Sequence, residues 1–305
     1  MTFWLRPAFG LRVAKRFQTI VGFDRAMALA SAALTAAIPL ALLCGTLLAG
    51  LGDTNVADRV VERYGLTGGG AEAVQEVLSP SADTDVGGDV FSALFLLIST
   101  LGFARAAQRL FEQTWELRPL SVRNTPNGLR WILGLAAYAV GSGWVHAAVG
   151  RRWHDWAADL LVAPLTGAFL VWSGRVLSAK RIAPRDLVPF GATAAVVTAL
   201  YSVGAAVYLP RLFSSYAGRY GAVGAVFAML SGLFGAMVAV VGSAALGREV
   251  HDELGRIRRG ERPPDDEVRR EWHDLVEQVR SHWRTVQEQG PRRRRPTKSH
   301  PPKEH

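Results

Sequence analysis

Apolar residues in this chain gather into long blocks separated by charged stretches, with neither strand alternation nor a simple amphipathic-helix period. Blocks of this kind predict membrane-crossing helices. The central one is Asp89–Trp115. Its uncharged run, Val90–Ala104, continues without Gly or Pro through Arg105 and Arg109. The run alone is about 22 Å long at 1.5 Å per residue, short of the roughly 30 Å hydrocarbon core. Extending the helix to Leu110 supplies the rest if Arg105 snorkels to the head groups and Arg109 lies at the interface. Leu110, Phe111, Thr114 and Trp115 then recur at helical steps, which predicts a continuation lying along the membrane surface.

Five further blocks read as spans: Met27–Leu51 with Pro39 inside, Trp131–Val149, Trp156–Leu177 with Asp159 and Pro164, Leu187–Leu209 ended by Pro210, and Tyr220–Leu246. The Ala-rich first span suits close helix packing, and Pro39 predicts a kink. Residues 52–88 form an acidic, external loop with short helices at Val56–Tyr64 and Ala71–Leu78, broken by Gly68-Gly69-Gly70. Trp131, Trp153, Trp156, Tyr208 and Tyr220 fall at the expected interfaces.

The net charge of +9 resides in loops and tail, so it reports topology before it reports nucleic-acid binding. Arg118, Arg123 and Arg130, and then Arg175, Lys180, Arg181 and Arg185, mark the internal loops. The expected fold is therefore all-α: a polytopic, multi-pass membrane protein of six transmembrane helices with N- and C-terminus cytoplasmic.

Four regions follow. Residues 1–25 are a basic amphipathic segment in which Phe9, Val13, Phe17, Ile20 and Val21 oppose Arg12, Lys15 and Arg16; residues 26–247 are the six-helix domain. Residues 248–290 are a cytoplasmic amphipathic tail striped by Val268, Trp272, Leu275, Val279, Trp283 and Val286, and 291–305 are a disordered basic tail. The arginines of that tail attract anionic lipid, at about 1 kcal/mol each near a membrane surface. Membrane lipids are the expected partners, and no specific nucleic acid is.

Candidate chemistry is sparse. The single cysteine, Cys44, forms no internal disulfide, and no Cys/His zinc spacing occurs. His146, His154, Asp155 and Asp159 form the densest polar cluster, around the outer ends of the third and fourth spans. Such groups can ligate a metal or relay protons. Asp159 lies only one turn inside the interface, though, where water, Arg151 or Arg152 satisfies it, so the metal and catalytic assignments are none. No phosphate loop, Ser-His-Asp order or cofactor motif is present, and the chain is read as no enzyme. Gly221, Gly224, Gly232, Gly235 and Gly242 on the sixth span read as packing positions, and Thr193, Thr198, Tyr201 and Ser202 as an interhelical hydrogen-bonding stripe.

Two short stretches resemble the YihY/BrkB family of bacterial inner-membrane proteins, once labelled ribonuclease BN. Ala30–Leu40, ASAALTAAIPL, is similar to its first-helix run closing in proline; Gly102–Trp115, GFARAAQRLFEQTW, is similar to its second-helix exit. By that likeness Pro39, Arg109 and Trp115 carry over, joining Arg105, His146 and Asp159 as the candidate functional residues. Alanines stand before Pro39 where the family has tyrosines and serine, and Glu112-Gln113 stand where it has Asn-Arg. The resemblance implies a plasma-membrane protein that transports or handles a lipid or envelope component, without ribonuclease activity. The alternative is a non-transporting envelope scaffold that binds partners through its outer loop and tail.

Overall fold

The computed structural model describes residues 7–49, 86–120, 124–150 and 155–260, with isolated positions between 58 and 75 and between 269 and 280. Side chains at 38–49, 86–93, 96, 147–150, 155–160 and 222 lie outside the described set, as do residues 151–154 and 281–305. The Pro39 kink, the Cys44 environment, most of loop 52–88 and the tail 291–305 therefore fall beyond it.

Among the described residues the chain is helical and without strands: α1 (Pro7–Thr19), α2 (Gly22–Ala49), α3 (Val86–Thr114), α4 (Thr125–Gly150), α5 (Asp155–Leu177), α6 (Pro184–Gly221) and α7 (Val223–Arg258). The six helices α2–α7 stand where the six apolar blocks stand. Helices α6 and α7 are each long and apolar enough to cross a membrane, and the bent pair Ala8–Thr19 with Gly22–Ala37 makes a third candidate span. The outer surface agrees: Ile98 (62 % exposed), Leu200 (69 %) and Phe227 (57 %) face outward, a pattern that calls for lipid rather than water.

Two compact units are present. One comprises Met1–Lys15 with Arg262–His305, the other Arg16–Glu261. In the first, the Arg12 guanidinium lies over the Phe9 ring, 6.0 Å from its centroid, and Trp272 is exposed.

The second unit holds the core. Ala26, Ala30, Ala33 and Ala36 bury one face of α2, as expected of a small-residue packing stripe. Against the large cluster lie Phe103, Leu110 and Phe111 of α3, Trp131 of α4, Leu177 of α5, Phe190 of α6 and Val241 of α7. A smaller cluster joins Leu209 and Phe213 of α6 to Ala225 and Ala228 of α7, with Val61 and Ala71 packed on it. Gly68, at φ +59°, begins the helical turn that carries Ala71 and Glu72, whose amides donate to its carbonyl.

Four expectations need correction. Pro210 does not end its helix: α6 runs on to Gly221, because Leu209, Phe213 and Ala217 bury one stripe on both sides of the proline, outweighing the lost backbone bond. The break comes at Gly221, where φ +59° and ψ −139° suit glycine alone. Leu110, Phe111, Thr114 and Trp115 do not lie on the membrane surface; all four are buried, Trp115 between Phe111 and Phe190 with ring centroids 5.8 and 5.9 Å away. Trp131 belongs to no aromatic belt: it is buried, edge-on to Phe103 at 5.3 Å, with Nε1 donating to Ser173 Oγ at 2.9 Å. Tyr208 and Tyr220 are exposed as belt residues would be. Lastly, Val21 leaves the apolar face of α1; its φ of +52° turns the chain into α2 and exposes it, while Ile20 is buried.

The packing role of the glycines is visible. A methyl on Gly224 would lie 2.1 Å from the Tyr216 carbonyl oxygen, and one on Gly247 would lie 2.3 Å from Phe190 Cα. Gly232 and Gly235 receive the side chains of Leu209 and Tyr201, whereas Gly242 meets nothing. In the polar stripe, Thr193 Oγ1 reaches Ser243 O at 3.2 Å and Tyr201 donates to Gly232 O, both across the α6–α7 contact; Thr198 bonds within its own helix.

Candidate functional site

The start of α2, the ends of α3, α5 and α7 and the starts of α4 and α6 converge, as alternating helices require. At α3 the chain leaves through a Schellman turn: Leu117 N donates to Glu112 O at 2.7 Å and Glu116 N to Gln113 O at 3.2 Å, with Glu116 left-handed at φ +53°. Gln108 and Glu112, one turn apart, thereby face inward.

Glu112 is the hub. Its Oε1 accepts from Gln108 Nε2 at 2.8 Å, Leu120 N at 2.8 Å and Arg181 Nη2 at 3.3 Å, and its side chain is 4 % exposed. Asn124 Nδ2 donates to Gln108 Oε1 at 2.9 Å and to Leu177 O at 3.2 Å, and Asn127 donates to Asn124 Oδ1 at 2.6 Å. Arg181 also donates to Arg118 O at 2.6 Å and Ser178 O at 2.9 Å. One carboxylate thus ties α3, the strand of loop after it and the α5–α6 connection. A buried carboxylate is tolerable only when its lone pairs are met in this way.

A second charged group adjoins it. Arg16 donates to Asp252 Oδ2 at 2.8 Å and Glu249 Oε2 at 3.2 Å, and approaches Glu116 at 3.9 Å. Arg248 reaches Asp252 at 3.5 Å, and His251 reaches Asp186 at 3.9 Å. Helix α7 continues past Leu246 to Arg258, so Glu249 and Glu253, on consecutive turns, both reach buried positions. Two buried donors, Trp115 Nε1 and Arg248 Nε, have no acceptor among the described residues.

Of the six sequence candidates, Arg105, Arg109, Trp115 and His146 have described side chains. Trp115 lies in this collar; Arg105 and Arg109 are exposed on α3. His146 is half-buried on α4, its Nδ1–H donating to Ser142 O at 2.8 Å within the helix. Pro39 and Asp159 are helical, with side chains outside the described set, and His154 and Asp155 likewise leave the polar cluster undescribed. Among the candidates with described side chains, Trp115, Arg105, Arg109 and His146 do not share one site. Among the described residues no group of three His, Cys, Asp or Glu could hold a metal.

Elsewhere, α5 and α6 cross closely at Gly167 and Gly191, where a methyl on either would lie 2.8 Å from the other's carbonyl oxygen. Beside that crossing opens a cavity of about 740 Å³ lined only by Ala, Gly, Pro, Val and Leu, from Ala163 to Val171 and from Val188 to Val203.

A family model described as Virulence factor BrkB matches residues 13–267. The chain belongs to this family. The match includes Arg16, the Glu112 hub and the α5–α6 cavity, so the BrkB assignment covers both arrangements. No curated protein and no solved structure matches the chain.

Proposed function

We propose that this BrkB-family chain spans the bacterial plasma membrane six times, with both termini cytoplasmic, and that it handles or transports a lipid or envelope component without catalysing a covalent reaction. Arg118, Arg130, Arg175, Lys180, Arg181, Arg185 and Arg248 at the convergent helix ends support a cytoplasmic collar. The observation that carries the lipid reading is the lateral apolar cavity between α5 and α6. Its size lies within the roughly 300–1,000 Å³ of small-molecule sites, and its lining offers nothing to a polar solute. The test is mass spectrometry of molecules retained by the full-length protein after exhaustive detergent exchange. A specific lipid or precursor at fixed stoichiometry supports the reading. Lipid in the bulk proportions of the host membrane refutes it and favours an envelope scaffold.

A further inference from the structure

We infer that the α5–α6 cavity is a site for an anionic phospholipid, one acyl chain lying in the groove and the phosphate held by Arg175 and Arg185. The inference rests on the lipid-handling reading and deepens it. The groove stripe on α5 passes through Pro164, Ala168 and Val171 at helical steps, and the next position is Arg175, which is exposed. On α6 the stripe begins at Val188, and one turn earlier stands Arg185, with 88 % of its side chain exposed.

Both arginines belong to the basic end of the bundle, so a phosphate held there places the lipid in the leaflet that faces the collar. Among the described residues the competing anion at Arg185 is the half-buried Asp186, 3.7 Å away, which also faces His251. From Val188 to Val203 the groove runs about 22 Å along α6 at 1.5 Å per residue, enough for an acyl chain spanning the roughly 15 Å of one leaflet. The lining supplies no hydrogen-bonding side chain along that length, so the chain end of the ligand is hydrocarbon; the arginines set its charge. Arginine also matches phosphate geometry through its planar fork of donors.

The full-length protein in nanodiscs of phosphatidylethanolamine and phosphatidylglycerol, released into native mass spectrometry, tests this. One phosphatidylglycerol per chain should be retained in preference to phosphatidylethanolamine. R175Q/R185Q should weaken its apparent affinity about thirtyfold, from two arginines acting near the surface. A192F, which fills the exposed groove wall and leaves both arginines, should weaken it as well; glycerol phosphate, lacking chains, should not displace the lipid. Retention of phosphatidylglycerol unchanged in R175Q/R185Q overturns the site while leaving lipid handling intact, and so does displacement by glycerol phosphate. Retention of bulk lipid only, by wild type and variants alike, overturns both.

Discussion

Glu112→Ala removes the single oxygen shared by Gln108 Nε2, Leu120 N and Arg181 Nη2. The three donors differ in what they can recover. Gln108 is 9 % exposed and stays dry, whereas Arg181 keeps 28 % of its side chain exposed and regains water. A buried donor left unmet costs about 1–3 kcal/mol, and the charge-assisted bond lost about 1.5–3 kcal/mol. With partial rehydration of Arg181, the net loss is about 3 kcal/mol, or roughly 6 °C in midpoint at about 2 °C per kcal/mol for a chain this large. Glu112→Gln keeps the oxygen and the shape and should lose about half as much. Thermal unfolding in detergent measures both. Hydrogen exchange at the Leu120 amide supplies a local readout, since its acceptor vanishes in Glu112→Ala and exchange there should quicken. In a double-mutant cycle with Arg181→Ala the coupling should be about 1–2 kcal/mol. A Glu112→Ala variant within about 0.5 kcal/mol of wild type, or losses strictly additive with Arg181→Ala, would refute the hub.

Gly247→Ala drives a methyl into the Phe190 backbone, which cannot swing aside, and should destabilise by about 3 kcal/mol or more; a melting curve unchanged from wild type would contradict the tight α6–α7 contact. Gly221→Ala meets no atom yet sits at φ +59°, so it should cost about 1–3 kcal/mol of backbone strain, while Gly218→Ala on the same surface should be neutral or stabilising. Equal melting temperatures for the pair would remove the case for a glycine-specific break. Arg16→Gln removes one cation from the buried Glu249 and should cost about 2–4 kcal/mol, less than a fully buried pair because Arg16 is partly exposed. Raising salt should narrow the gap between Arg16→Gln and wild type little, since a buried pair is weakly screened; a large narrowing would place the pair in solvent.

The helices were legible because block hydropathy needs no partner to be read. Met27–Leu51 became Gly22–Ala49, and Trp156–Leu177 became Asp155–Leu177. Pro210 misled because a local breaker signal competes with a stripe whose partners, Ala225 and Ala228, sit beyond the turn. The collar was largely hidden. Glu112 and Gln108 look like the wet side of an amphipathic turn, and nothing nearby in sequence announces Arg181, 69 residues on. Arg16 read as one more basic residue opposite the apolar face of the first segment because its partner Glu249 lies 233 residues away. Trp115 was found through family likeness, but its burial against Phe190 required the fold. Arg105 and Arg109 are exposed, where a helix charge can reach water or head groups.

The Gly167–Gly191 crossing has a mechanical meaning. Each glycine leaves room for the other's carbonyl oxygen, with Val171 Cγ2 and Ala195 Cβ beside them, and α5 and α6 form a lever pair about this close approach. Toward the collar the pair is wedged, because Leu187 and Phe111 already fill the space at Gly174. Away from it, Val203 stands twelve residues beyond Gly191, about 18 Å at 1.5 Å per residue, so a tilt of about 5° moves it about 1.6 Å. Motions too small to disturb the crossing would thus alter the width of the groove at its far end by about the length of one carbon–carbon bond.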